Sequence, residues 1–267
     1  MIPRSLDPSI PSSGIHPSAL IGPEVELGPG CEVGPFCHFE GRLLAGERNR
    51  FATGVAVGGV PMDTKYRGEP TAVRIGSGNT FHEYTSVHRA CGESAETVIG
   101  DDNFVMAYVH IAHNCRIGSR CTVTNGVQFG GHVEVGDGAN IGGLTGVHQF
   151  CRVGSLAMVG ACSYVNKDIL PFMLAAGNPC SVRGLNAVGL RRAGTGEEAL
   201  ALLRLAYRCL YRTGLNLGQA LSTVESDLLP HSRPGHGQEQ LLEVVRFARS
   251  STRGIELRSG RQKQEES

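Results

Sequence analysis

This 267-residue sequence predicts a parallel β-helix followed by a small helical domain. The first observation is a six-residue period: every sixth residue from Ile15 to Val165 is apolar except Asp63, Glu69 and Glu93, although apolar residues make up only 40% of the chain. These positions, one in every six residues, are called lattice positions here. The second observation is a glycine directly after many lattice positions, and the third is a helical apolar pattern after residue 195. A strict hexapeptide period of β-branched and aromatic residues is typical of a parallel β-helix.

Each six-residue repeat supplies one short strand and one turn, so three repeats, or 18 residues, complete one triangular coil. Strands of successive coils then pair in parallel at roughly 4.8 Å, and the lattice side chain faces inward. Glycine or asparagine at the corners is expected to adopt positive φ. The period alone does not determine the handedness of the coil.

The N-terminal residues and the composition narrow the class of protein. Residues 1–14 are predicted to be an N-terminal extension, without the apolar core of a signal peptide, and residues 15–183 to be the rod. No stretch approaches the roughly 18 apolar residues of a membrane span, so we expect a cytoplasmic protein. The 25 basic and 25 acidic residues balance, which argues against nucleic-acid binding through a bulk positive field.

The nine cysteines are odd in number and form no CxxC pair. Five of them stand four residues after a lattice position, where other repeats carry valine or alanine: Cys31, Cys37, Cys115, Cys121 and Cys151. We therefore expect these thiols to be small buried packing groups in a reducing compartment.

Acidic residues interrupt the lattice in two places. Asp63 and Glu69 lie in VPMDTKYRGEPTA and Glu93 lies in RACGESAE. An unpaired carboxylate is too costly inside the rod, so these segments are predicted to be loops that leave it, at 60–72 and 89–96. Loops on a rigid scaffold are where binding residues concentrate.

The pattern stops at Pro171, and Phe172–Arg192 is expected to be a connector. Residues 184–254 are predicted to be a helical C-terminal domain. Its first helix should start at a capping box with Thr195 as N-cap and Glu198 three residues later and run to about Arg212. One or two further helices are expected, at about 217–229 and 238–250. The charged residues after Arg253, and 255–267 above all, are predicted to be disordered.

Histidines mark one side of the rod. His113, His132 and His148 fall in three repeats spaced by one coil, and His110 closes the repeat before them. Such a column could hold a general base, a metal site, or merely polar surface residues. Zinc ligands usually converge rather than stack in a line, although a trimer interface could bring them together.

Several motifs resemble one family: MDTKYRGEPT (62–71), HIAHNC (110–115), GGHVEVGD (130–137), TGVHQFCRVG (145–154), GNP (177–179), GLNAVGLRR (184–192) and STRG (251–254). They resemble the acyl-carrier-protein-dependent UDP-N-acetylglucosamine O-acyltransferases, which open lipid A biosynthesis. The resemblance implies a homotrimer of left-handed β-helices with active sites between subunits. It also implies acyl carrier protein and a UDP-sugar as partners, with the acyl thioester as co-substrate and no cofactor or metal.

The resemblance implies roles for individual residues. His113 matches the base that deprotonates the sugar 3-hydroxyl, and the N–H of Gly131 matches the oxyanion donor. Ala161 matches the position that limits acyl-chain length. Substrate contacts are implied for His110, His132, His148, Asp63, Lys65, Gln149, Asn186 and Arg192. Arg204, Arg208 and Arg212 form a stripe that either docks the acidic carrier protein or is a solvated basic face.

Four residues depart from the family pattern: Met62, Asn114, Val188 and Ala193. Met62 and Val188 replace polar residues, which keeps open N-acylation of a 3-amino UDP-sugar. A zinc-dependent trimer resembling the gamma-class carbonic anhydrases and a non-catalytic trimeric scaffold also remain alternatives. The sequence does not fix the acyl-chain length.

Overall fold

The computed structural model describes residues 14–256, and the six-residue repeat forms a rod with three sheets. Ile15 pairs with Val33 and Val33 with Phe51, so neighbouring strands are 18 residues apart wherever no loop intervenes. Every lattice position outside the two predicted loops lies in a strand. The parallel β-helix is therefore confirmed, while residues 1–13 of the predicted extension and 257–267 of the predicted tail lie outside the described residues.

The three faces of the rod are named here sheets A, B and C. Sheet A contains Gly14–Ile15, Glu32–Val33, Arg50–Phe51, Thr80–Phe81, Phe104–Val105, Thr122–Val123, Asn140–Ile141, Met158–Val159, Met173–Ala176 and Ser181–Leu185. Sheet B contains Leu20–Ile21, His38–Phe39, Ala56–Gly59, Ser86–His88, His110–Ile111, Gln128–Phe129, Gly146–Val147 and Tyr164–Val165. Sheet C contains Val25–Leu27, Arg42–Ala45, Ala72–Ile75, Glu96–Ile99, Arg116–Ile117, Glu134–Val135 and Arg152–Val153.

The lattice side chains fill the interior of the rod. Phe39, Phe51 and Phe81 are fully buried, and the rings of Phe51 and Phe81 stack with centroids 5.1 Å apart. Burying each such side chain contributes about 1.5–3 kcal/mol. The five cysteines predicted to be packing groups are all free and buried, as expected.

Most glycines that follow a lattice position are needed for close packing and not for their φ angle. A Cβ on Gly28 would lie 2.6 Å from the carbonyl carbon of Gly46 in the next coil. The corners themselves mostly place larger residues at positive φ, as at Tyr84 (57°) and Tyr108 (60°). The expectation that glycine or asparagine supplies the positive φ is therefore wrong for most corners; stacked corner side chains, such as these two tyrosines 5.4 Å apart, help to offset the strain.

Both loops leave the rod at the corner between sheets B and C, named here the B–C corner. They occupy residues 60–71 and 89–95, between strands of these two sheets. The Glu69 carboxylate joins them, because it accepts the backbone N–H of Gly92 at 2.7 Å and of Arg67 at 2.7 Å. These hydrogen bonds, the one from Gly92 first, lower the pKa of Glu69 to about 2.

The segment expected to be a connector is structured instead. Met173–Ala176 and Ser181–Leu185 form an antiparallel pair that extends sheet A, and a short helix α1, Ala187–Arg192, follows. The connector prediction is wrong because alternating burial along Met173–Ala176 replaces the six-residue pattern with an ordinary two-residue period.

Three longer helical segments complete the described chain: α2 Glu197–Arg212, α3 Leu217–Thr223 with a helical extension through His231, and α4 Gln238–Arg249. The predicted cap at Thr195 is wrong. Its N–H donates to Leu190 at the end of α1, and α2 starts after Gly196 without a side-chain cap. The capping box lies at α3, between Asn216 and Gln219.

The start of the predicted disordered tail is ordered. Ile255 and Glu256 are each only 6% exposed, and Ile255 forms a parallel bridge with Asp168. The prediction of disorder from composition is wrong here because an apolar side chain and backbone pairing hold these residues against the end of the rod.

Candidate functional site

A cleft of about 500 Å³ lies on the outer face of sheet B beside the B–C corner. Side chains alternate across a strand, so His110, which precedes a lattice position, points outward while Ile111 is buried. Residues just after the lattice positions reach the cleft from the corner. His88, His110, His113 and His148 all line it.

His113 is held by the residue that follows it. Its Nδ1 lies 2.9 Å from Asn114 Oδ1. The amide of Asn114 is oriented by Cys91 in the second loop, whose N–H donates to Oδ1 at 2.9 Å and whose carbonyl accepts from Nδ2 at 3.0 Å. Because Oδ1 can only accept, His113 donates from Nδ1 and keeps the lone pair on Nε2.

A carboxylate faces that lone pair. Asp63 Oδ2, from the first loop, lies 3.9 Å from His113 Nε2, and both side chains are largely buried. The pKa of Asp63 is lowered, first by the backbone N–H of Lys65 and also by His113. The ionised carboxylate would stabilise the imidazolium that forms when Nε2 accepts a proton.

Gly131 lies against the His113 ring. It is buried and lines the cleft, and among the hydrogen bonds of residues 14–256 none uses its N–H as donor. A Cβ there would lie 2.5 Å from His113 Cε1 and 2.6 Å from Nε2. A side chain at this position would therefore displace the imidazole, and only glycine lets the His113 ring pack against the backbone here.

His110 and His88 form a second pair below His113. Their ring centroids are 5.2 Å apart, His110 Nδ1 lies 2.9 Å from Ser86 Oγ, and His88 Nδ1 lies 2.7 Å from the carbonyl of Val60. Burial, followed by the neighbouring histidines, lowers the pKa of His110 to about 4. The sequence reasoning missed His88, although it directly follows a lattice position, as His148 does.

The predicted histidine column divides into two environments. His132 packs edge-on to His113, with centroids 5.4 Å apart, and stacks on Phe150 at 4.6 Å; it is not among the cleft-lining residues, and burial lowers its pKa. His148 and Gln149 do line the cleft. His132 therefore packs behind His113, while His148 can reach a ligand.

Other predicted residues lie away from the cleft of a single chain. Asn186 caps α1 and donates to the carbonyl of Leu156, and Arg192 ends that helix, exposed. Lys65 is exposed in the first loop and Ala161 at a corner of the rod. The predicted docking stripe lies on α2, at Arg204, Arg208 and Arg212, where Arg204 also approaches Glu197 at 4.0 Å.

No three His, Cys, Asp or Glu side chains within residues 14–256 are arranged to hold a metal ion. The cleft histidines instead use their ring nitrogens on Asn114, Ser86 and a backbone carbonyl. In the same part of the chain, no helix combines the length and apolar character that crossing a membrane requires.

Comparison with family models finds two matches. Residues 168–256 match the model described as Udp N-acetylglucosamine O-acyltransferase, domain 2. Residues 96–131 match that of the bacterial transferase hexapeptide, six repeats.

Similar proteins cover most of the chain. It is 44% identical over 211 residues to the acyl-(acyl-carrier-protein)–UDP-N-acetylglucosamine O-acyltransferase of Burkholderia orbicola (strain MC0-3), which covers 79% of each chain. The structure of LpxA from Acinetobacter baumannii is similar with a TM-score of 0.74 and 35% identity, over 90% of this chain and 96% of that one. UDP-N-acetylglucosamine acyltransferase from Francisella novicida has a TM-score of 0.76 and 29% identity, over 93% and 95%.

Proposed function

The chain belongs to the acyl-carrier-protein-dependent UDP-N-acetylglucosamine O-acyltransferase family, and from this premise we propose how its residues perform the reaction. The enzyme transfers an acyl chain from acyl carrier protein to the 3-hydroxyl of UDP-N-acetylglucosamine, the first step of lipid A biosynthesis. Family membership also confirms the predicted left-handed β-helix with a helical C-terminal domain. The observation that carries the mechanism is the Nε2 lone pair of His113 next to Gly131, whose N–H has no acceptor among residues 14–256.

In the proposed reaction, His113 Nε2 removes the proton of the sugar 3-hydroxyl as that oxygen attacks the thioester carbon. The carbonyl oxygen becomes an oxyanion, to which the Gly131 N–H donates. Collapse of this intermediate forms the ester and breaks the C–S bond. The phosphopantetheine thiolate leaves and takes the proton from the His113 imidazolium, which restores the base.

Asp63 and Asn114 support opposite edges of the same imidazole. Asn114 fixes which nitrogen carries the proton before the reaction, while Asp63 lies near the nitrogen that receives it. We propose that Asp63 stabilises the imidazolium and that His148 and Gln149, which line the cleft, contact the sugar nucleotide. Because the uncharged Asn114 stabilises an imidazolium less than a carboxylate would, more of this task falls to Asp63.

We further propose a homotrimer that assembles through the corner between sheets A and B. This corner carries a ridge of exposed apolar side chains, with Phe36 72%, Tyr108 61% and Leu144 70% exposed, and such patches usually mark interfaces. An adjacent subunit could then supply Asn186 and Arg192, which lie away from the cleft of their own chain. Leu144→Arg should give a monomer by light scattering and lose activity, whereas Arg120→Ala at another corner should change neither.

An acceptor panel tests the reaction. Purified protein is incubated with acyl carrier proteins bearing different chains and with UDP-N-acetylglucosamine or its 3-amino analogue, and products are identified by mass spectrometry. We expect ester formation on the hydroxyl acceptor and a fall of about 10²- to 10⁴-fold in His113→Ala. His38→Ala, an exposed histidine of sheet B, should retain activity.

The rival functions give different results in the same experiment. Transfer only to the amino analogue would establish N-acylation instead, which Met62, exposed at the cleft mouth, leaves open. Stoichiometric zinc in the purified protein without any acyl transfer would favour the carbonic-anhydrase-like alternative. We also propose a cytoplasmic location, because acyl carrier protein and the UDP-sugar are both cytoplasmic substrates.

A further inference from the structure

Hydrogen bonds to Asp168 hold residues 251–254 beside the cleft. Asp168, fully buried, accepts the N–H of Arg152 at 2.8 Å and the hydroxyl of Ser251 at 2.8 Å. Its own N–H donates to the carbonyl of Gly254 at 2.9 Å. Residue 253, between these two anchors, therefore has a defined position at the end of the rod.

This anchoring brings Arg253 to a histidine of the cleft. Arg253 Nη2 lies 2.9 Å from His148 Nδ1. A guanidinium carries only N–H donors, so His148 Nδ1 must accept and hold a lone pair. The proton of the neutral ring then lies on Nε2, which has no hydrogen-bond partner among the described residues.

A second group competes for the same nitrogen. The backbone carbonyl of Gln149 lies 3.0 Å from His148 Nδ1 and could accept a hydrogen bond only if that nitrogen carried the proton. The two contacts cannot both be hydrogen bonds of one tautomer. Without Arg253, the Gln149 carbonyl would draw the proton to Nδ1 and leave Nε2 as an acceptor.

We propose that Arg253 is a positioning residue that fixes His148 as its Nε2–H tautomer, so that the ring presents a donor to an acceptor oxygen of the sugar nucleotide. This inference rests on the proposed acyl transfer for its consequence, but the tautomer itself does not depend on catalysis. Arg253 acts through His148, whose tautomer it sets. The tautomer of His113 is set by a different residue, Asn114.

The tautomer can be measured directly. Magic-angle-spinning NMR of ¹⁵N-histidine-labelled full-length protein distinguishes protonated from unprotonated ring nitrogens, and His148→Gln assigns the signal. We expect Nε2–H in the wild type and in Arg253→Lys, which keeps N–H donors, and Nδ1–H in Arg253→Met, which keeps the length but has no donor. An unchanged tautomer in Arg253→Met would overturn the proposal.

Steady-state kinetics then test the consequence. Arg253→Met should raise the KM for UDP-N-acetylglucosamine about tenfold or more, with a smaller change in kcat, because a donor facing the substrate oxygen becomes a second acceptor. Arg253→Lys should stay within about threefold of wild type. Arg249→Met, which loses an ion pair to Glu225 on the helical domain, is the matched control and should behave as wild type.

Two results distinguish the tautomer of His148 from its effect on substrate binding and from the acyl-transfer activity. Arg253→Lys with the Nε2–H tautomer but the KM of Arg253→Met would show that the tautomer does not govern substrate binding, and so refute the proposal. If the wild type transferred no acyl group, the proposed function would fail, while the NMR comparison would still decide whether Arg253 sets the tautomer of His148.

Discussion

Replacing Gly131 with alanine probes the contact on which the proposed chemistry depends. The added Cβ would lie 2.5 Å from His113 Cε1, where ordinary contact begins at 3.4 Å, so the ring must retreat by 3.4 − 2.5 = 0.9 Å. A displacement of about 1 Å in a reacting group costs on the order of 10²-fold in rate. The ring cannot move this far without stretching its 2.9 Å hydrogen bond to Asn114.

We therefore expect Gly131→Ala to lower kcat/KM about 100-fold while the melting temperature stays close to that of the wild type. Gly196→Ala is the control, because alanine there meets no atom within 4 Å. The decisive assay is a double-mutant cycle with His113→Ala. Once the imidazole is gone, Gly131→Ala should have little further effect; an equal loss in both backgrounds would refute the proposed clash.

Three further predictions concern the site and the rod. Asn114→Leu should lower kcat and alter the pH–rate profile without unfolding the protein, because His113 loses the acceptor on Nδ1; a wild-type profile would contradict this. Gly142→Ala should lower the melting temperature strongly, since its Cβ would lie 2.3 Å from the backbone nitrogen of Ala161; little change would show that the coils can separate. The depressed pKa of His110, about 4, means that the unfolded state binds more protons between about pH 6.5 and 4, so the free energy of unfolding should fall as pH falls through this range. Urea titrations should show a weaker fall in His110→Gln.

The rod could be predicted because one local rule repeats along it. The side chain at each lattice position in a strand faces inward. The three lattice positions that carry an acidic residue, Asp63, Glu69 and Glu93, lie in the loops. The rule fails beyond Val165, where an antiparallel pair and helices follow other periods. It also could not show that Thr195 closes α1 instead of opening α2, since both roles suit the same residue.

The site was only partly predictable, for a related reason. Coil spacing brought His110, His113 and His148 to one side of the rod, but it says nothing of which nitrogen carries a proton. That depends on Cys91, which contacts Asn114 from the second loop, and on Arg253, which contacts His148 from the segment after the last helix. Contacts between such distant segments leave no periodic trace in the sequence.

In the three-sided coil, successive six-residue repeats belong to sheets A, B and C in turn, so the number of residues between two repeats determines which sheet the second one joins. Between sheets B and C the chain advances 75 − 57 = 18 residues at the first loop and 99 − 87 = 12 at the second, where six would suffice. Deleting a single six-residue repeat within the rod would move every later strand to a neighbouring sheet, and the cleft residues would no longer lie together. Insertions and deletions are therefore tolerated as whole coils or as corner loops, and both loops of this chain lie at the corner that carries His113.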